Sequence, residues 1–153
     1  MPAWIIIAVA DLDDYLVAAQ MAALRNAALG GAQTDPFSRV MPDIIGRMRM
    51  KIASCEHNQL SATPNSIPPE LKWAACYLII EAMQTRLPGL KITEEQRTQI
   101  EDAKRQLDRI ADCKDEVTAP NDPLDPSGIQ RGGNIELVTK TPRTATNDSL
   151  NGL

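Results

Sequence analysis

The stretch IPPELKWAACYLIIEAM, from Ile67 to Met83, decides the fold. Pro68 and Pro69 fall where a helix tolerates proline, because first-turn amides have no intrahelical acceptor and the fixed φ suits helix entry. From Leu71 onward the residues Trp73, Ala74, Ala75, Cys76, Tyr77, Leu78, Ile79, Ile80, Ala82 and Met83 cover nearly every direction around the axis. A helix that is apolar all round must be enclosed by other protein or by lipid. The run is about a dozen residues and a bilayer span needs about 20. Protein therefore encloses it, and no membrane partner is expected.

Working outward, Leu87-Pro88-Gly89 ends this central helix with a turn. Thr93-Glu94-Glu95-Gln96 then reads as a capping box, in which the Thr hydroxyl and the Gln side chain satisfy each other's end amides. Ile100, Ala103, Leu107, Ile110 and Ala111 form one narrow stripe among charges, so this helix lies on the surface of a bundle. Upstream, Asp11 caps a first helix with Asp13 and Asp14 in its first turn, and Gly30-Gly31 stops it. Its apolar face is Leu12, Tyr15, Leu16, Ala19, Ala23 and Ala27. A second helix follows Asp35-Pro36, with Phe37, Val40, Ile44, Ile45, Met48 and Ile52 at helical spacing and a kink or restart expected at Pro42. Met48 and Met50 read as core and gap-filling residues.

The fold class expected is all-α, a small bundle of about four helices. Residues 1–10 form a short β or extended arm, residues 11–113 the bundle, and residues 114–153 a long tail. The chain has 153 residues, enough for one domain, and its composition of 43% hydrophobic but only 3% aromatic residues points to a core of Ala, Leu, Ile and Met, which favours helices. A formal net charge of −4 has the wrong sign for gripping duplex DNA through many phosphates. The run from Trp4 to Ala10 lacks a positive flank and fails as a secretory signal.

After Lys114 the composition turns to Pro, Asp, Asn, Thr and Gly, with little to bury, so the tail is either ordered on a partner or disordered. Asn134 to Thr139 alternates like a strand that can extend a neighbour's sheet, and Ile129, Ile135, Leu137 and Val138 are the tail's candidate contacts with a partner.

The three cysteines, Cys55, Cys76 and Cys113, are odd in number and widely spaced, so neither a zinc site nor a disulfide framework is signalled, and a reducing compartment is the simpler reading. Cys55 and His57 are two possible metal ligands where a zinc site needs three or four. They read as a loop thiol and a solvated imidazole, not as a nucleophile pair, because no Asn or Asp is placed to orient the ring. Asp11, Asp13, Asp14, Glu94 and Glu95 are explained by their places at helix starts, and no phosphate-cradling glycine loop is present. No cofactor is expected. Arg47, Arg49 and Lys51 form a basic run in which Arg47 and Lys51 share a helix face that can meet phosphate or an acidic partner; a solvated face is the plainer reading.

The order of these elements resembles a known pattern. A helix opening Asp11-Leu12-x-x-Tyr15-Leu16, a helix ending near Ile52-Ala53, the phrase Ile67-Pro68-Pro69-Glu70-Leu71, the run Thr85-Arg86-Leu87-Pro88-Gly89 and the helix from Thr93 to Ala111 resemble the small head-tail adaptor (connector) proteins of Mu-like and related long-tailed bacteriophages. The resemblance covers Asp11 to Val117 and consists of helix starts and stops. It implies a structural virion protein and not an enzyme: a homo-oligomeric ring, usually of twelve, at the capsid portal vertex, assembled in the bacterial host cytoplasm. Its partners would be the portal protein and tail or neck proteins, with genomic DNA passing through the channel without specific binding. The extended termini of the family reach toward such partners, and the tail after Lys114 fits that role. The apolar Trp4 to Val9 arm departs from the family's usual short polar start. A different class of function for the same features is a small regulatory or packaging-associated helical protein that holds nucleic acid through Arg47, Arg49 and Lys51.

Overall fold

The computed structural model describes residues 3–29, 36–85, 87 and 90–121. In chain order they form strand β1 (Ile5–Ile6), a 3₁₀ turn (Val9–Leu12), helix α1 (Ala18–Leu29), helix α2 (Pro36–Ala53), strand β2 (Ser66–Ile67), a second 3₁₀ turn (Pro69–Leu71), helix α3 (Lys72–Gln84) and helix α4 (Glu94–Ala111). Helix α3 is the centre, and α2 and α4 pack against it and against each other. Ala74, Ala75, Cys76, Ile79, Ile80 and Met83 of α3 are completely or almost completely buried. Phe37, Val40, Ile45, Met48 and Ile52 of α2 and Ile100, Ala103, Leu107 and Ile110 of α4 close over them in one continuous core.

The fold is mostly helical, but it is not purely so. Strand β1 pairs antiparallel with β2, Ile5 opposite Ile67 and Ile6 opposite Ser66. The expected arm is thus extended in conformation and laid on the bundle, with Trp4 and Ile7 buried. The physical reason is that an apolar extended segment next to the Ser66-Ile67 lead-in can satisfy its backbone there and hide its side chains under the same element.

The first helix departs from expectation at its start. Asp11 belongs to the 3₁₀ turn, where its amide donates to Ala8 O (3.0 Å) and its carboxylate accepts from Ala8 N (2.7 Å). The same carboxylate meets Lys72 Nζ at 2.6 Å, so it is engaged at two points before any longer helix can use it. Helix α1 begins six residues later than Leu12, at Ala18, and Val17 N donates to Gln20 Oε1 (3.1 Å) at its entrance. Ala19, expected on the packing face, is exposed, and the buried residue of this turn is Gln20.

Helix α2 starts at Pro36 as the sequence predicts, but it runs through Pro42 without ending. Phe37 and Val40 before the proline and Ile45 and Met48 after it are all buried in the core, and tertiary packing holds the helix where one amide is missing. Met50 is 64% exposed, so only Met48 of the two methionines is a core residue.

The capping box of α4 forms as read: Gln96 N donates to Thr93 Oγ1 (3.2 Å) and Thr93 N to Gln96 Oε1 (3.0 Å). Gln96 also extends inward. Its side-chain amide pairs reciprocally with that of Gln20 (2.8 and 3.0 Å) and donates to Tyr15 O (2.9 Å), while Gln20 Nε2 donates to Lys91 O. Two buried amides thus satisfy one another and tie α1 to the start of α4. Thr93→Ala should lower stability by about 1 kcal/mol, measured by urea unfolding, because Gln96 N loses its acceptor.

The Asp11–Lys72 pair carries a pH signature. The Asp11 carboxyl lies below its ordinary 3.8, chiefly because the Lys72 ammonium donates to it and secondly because the Ala8 amide does. A depressed folded-state value means the contribution is present above pH 3.8 and is lost as pH falls through the lower folded value. Both side chains are partly solvated, so Asp11→Asn should cost less than about 1 kcal/mol at pH 7. The difference from the unaltered protein should vanish in acid unfolding curves at low pH.

Candidate functional site

Two places in the described residues bring functional side chains together. The first is an open cleft of about 410 Å³ where α2, α3 and α4 meet. Ile44 and Met48 of α2, Leu78 and Ala82 of α3 and Leu107 of α4 make its apolar lining. Arg47 and Lys51, one turn apart on α2, stand on its rim with Glu81 of α3, Thr85 just past the end of α3 and Lys104 of α4. Lys104 Nζ meets Glu81 Oε1 at 2.7 Å, and Lys51 Nζ meets Asp108 Oδ1 at 2.8 Å. The hydrogen bond and charge of Asp108 raise the Lys51 ammonium's pKa above its ordinary value. An apolar floor with a mixed-charge rim suits a partner's apolar side chain flanked by polar groups.

The basic run is split by this geometry. Arg47 and Lys51 share the cleft, but Arg49, 200° further round the helix from Arg47 at about 100° per residue, faces the other side. Its guanidinium donates to Ser61 O (2.6 Å), Ser66 O (2.9 Å) and Thr63 O (3.3 Å) and lies 5.5 Å from the centroid of the Trp4 ring. Arg49 is a fastening for the loop before β2, and it does not belong to one phosphate-facing patch with its neighbours. The signal that could have found the cleft is the spacing Ile44, Arg47, Met48, Lys51 together with Glu81, the lone acid within the apolar run of α3. The tail candidates Ile129, Ile135, Leu137 and Val138 lie outside the described residues.

The second place corrects the reading of the cysteines. Cys55, just beyond α2, and Cys113, just beyond α4, are joined in a disulfide with a Cα–Cα distance of 5.2 Å across 58 residues. Cys55 is therefore no loop thiol. Wide spacing in sequence is no obstacle when both cysteines follow helices that end side by side. Cys113 N donates to Ile110 O (3.1 Å) and Lys114 N to Arg109 O (2.9 Å), the paired bonds of a Schellman turn, with Cys113 at φ 57° in the position usually held by glycine. His57 Nδ1 lies 3.7 Å from Cys55 Sγ. In this state Cys55 offers no thiolate to act as a nucleophile. Cys76, in contrast, is a free thiol in the core, pushed up to about 12 by burial first and by the Asp11 charge second, and so inert.

Beyond the Schellman turn the chain doubles back. Val117 N donates to Asn58 Oδ1 (3.4 Å), Thr118 N to Glu70 Oε1 (2.6 Å), and Trp4 Nε1 to Thr118 O (2.8 Å). The start of the expected tail, through Thr118, is thus fastened to the bundle and to the N-terminal segment. No described helix is long and apolar enough to cross a membrane. Comparison of the chain with protein-family models, with curated proteins and with solved structures finds no match.

Proposed function

We propose that the chain is a structural virion protein, a head-tail adaptor that forms an oligomeric ring between portal and tail in the phage neck and lets DNA pass. The order and punctuation of its helices support the reading. The observation that carries it is the contrast between two sides of α2: one is sealed by Trp4, Arg49 and the returning segment at Thr118, and the other is the open cleft whose partly exposed apolar lining is Ile44 and Ala82. A subunit sealed on one flank and open on the other suits side-by-side packing in a ring. The acidic net charge suits a channel through which DNA slides without being held.

Cryo-electron microscopy of the protein mixed with its portal, or of the purified particle, tests the proposal. A ring of about twelve copies, as the family resemblance implies, with residues after Asn121 ordered against other chains, is the expected result. A monomer with no affinity for the portal overturns it. The nucleic-acid reading now rests on Arg47 and Lys51, and it requires salt-dependent DNA binding that disappears when both are neutralised.

A further inference from the structure

We propose that Cys55, Cys113 and His57 form a redox-gated zinc site: two thiolates and one imidazole bind Zn²⁺ when the disulfide is reduced, and release it when the disulfide forms. The inference is independent of the ring.

The three donor atoms come from distant parts of the sequence and converge at one end of the bundle. The Cys55 and Cys113 sulfurs and a His57 ring nitrogen all lie within 4.8 Å of one another. His57 is the only histidine in the chain, and the other two ligands are two of its three cysteines. In a tetrahedral zinc site with Zn–S about 2.3 Å and Zn–N about 2.0 Å, neighbouring donors stand about 3.5–3.8 Å apart. The Cys55 sulfur and the His57 Nδ1 are already 3.7 Å apart. The two sulfurs must separate and the Cys113 sulfur, within 4.8 Å of the His57 ring nitrogen, must settle at the same donor spacing; breaking the disulfide frees both side chains to rotate to it.

The surroundings hold the donors in place and leave a way in. Cys55 N donates to Ile52 O (3.3 Å) and Asn58 N to Cys55 O (3.1 Å), so the turn carrying Cys55 and His57 is closed by backbone bonds. Cys113 is held by the Schellman turn. Cys55 is buried, whereas His57 and Cys113 are exposed, which places the approach of the ion on the solvent side. Three protein donors leave the fourth position to water, the arrangement of an open site. Two thiolates neutralise the dication, which favours zinc over the hard cations that prefer oxygen donors.

The chemistry balances as follows. A dithiol gives two electrons and two protons to the Cys55–Cys113 bond and becomes a disulfide itself. The two thiols then lose their protons to solvent as Zn²⁺ binds. Re-oxidation by a small-molecule disulfide reforms the Cys55–Cys113 bond: the two thiolates give up two electrons, the oxidant leaves as two thiols that take two protons from solvent, and an imidazole alone does not retain the ion.

The test uses the full chain, reduced with a phosphine and desalted without oxygen, then titrated with Co²⁺ as a spectroscopic stand-in. Thiolate charge-transfer and tetrahedral ligand-field bands saturating at one Co²⁺ per chain, displaced by Zn²⁺ and absent from the oxidised protein, are expected. His57→Ala, at an exposed position that leaves the core untouched, should weaken Co²⁺ binding by roughly tenfold or more and alter the ligand-field bands. Zn²⁺ should also raise the melting temperature of the reduced protein. Reduced protein that shows no such bands overturns the proposal, and so does metal binding that is equally strong in the oxidised protein or unchanged by His57→Ala.

Discussion

Replacing Arg49 by alanine should destabilise the protein by about 3 kcal/mol, while Arg47→Ala, two residues away, should change stability by no more than about 0.5 kcal/mol. Both are arginines on the same helix, and the difference lies entirely in what they touch. Arg49 supplies donors to the carbonyls of Ser61, Thr63 and Ser66, and Ser61 and Ser66 are fully buried. Its removal leaves those carbonyl oxygens short of a donor, and it deletes the cation over the Trp4 ring. Arg47 stands exposed on the cleft rim. Arg49→Lys should recover only part of the loss, since one ammonium cannot span acceptors that the planar fork reaches together. Urea unfolding of the three variants decides the matter, and Trp4 fluorescence should report the early loosening of the β1–β2 edge in Arg49→Ala.

Reducing the disulfide should cost about 4 kcal/mol at 25 °C, the loop-closure entropy returned to the unfolded chain by opening a link across 58 residues. Denaturant titrations of oxidised and phosphine-reduced protein measure it, in the absence of metal so that the two forms differ only in the link. The variants add a finer comparison. Cys113→Ser removes the link and keeps a side chain at φ 57°, whereas Cys113→Gly removes it and relieves that backbone, so the glycine variant should be the more stable of the two by about 1 kcal/mol.

What the sequence made legible was what local chemistry decides. The Pro-Pro entry and apolar run of α3, the capping box and narrow stripe of α4, and Pro36 at the start of α2 are signals carried within a few residues, and each element stands where it was read. The start of α1 was misplaced because Asp11, a good cap by itself, is held by Lys72 from a distant helix. The continuity of α2 past Pro42 likewise depends on core contacts made from α3 and α4, which outweigh the local cost of proline. At the sites the same division holds. The pairing of Arg47 with Lys51 follows from helical spacing, but the capture of Arg49 depends on Trp4 and on a loop, and neither is adjacent to it in sequence. Cys55 and Cys113 meet only because α2 and α4 end together against α3, so their spacing along the chain carried no hint of it.

The link between Cys55 and Cys113 also decides how the protein answers tension. A pull applied between the chain's two ends passes from Thr118 to Cys113, crosses the sulfur bridge to Cys55 and leaves through α2, so α3 and α4 hang as a side loop that bears no force. The chain between the cysteines, which stand 58 positions apart in sequence, about 200 Å of extended contour at roughly 3.5 Å per residue, is withheld from stretching until the bridge is cut. Oxidised, the protein keeps α3 and α4 off the line of force while α2 stays on it; reduced, the same pull unspools all three.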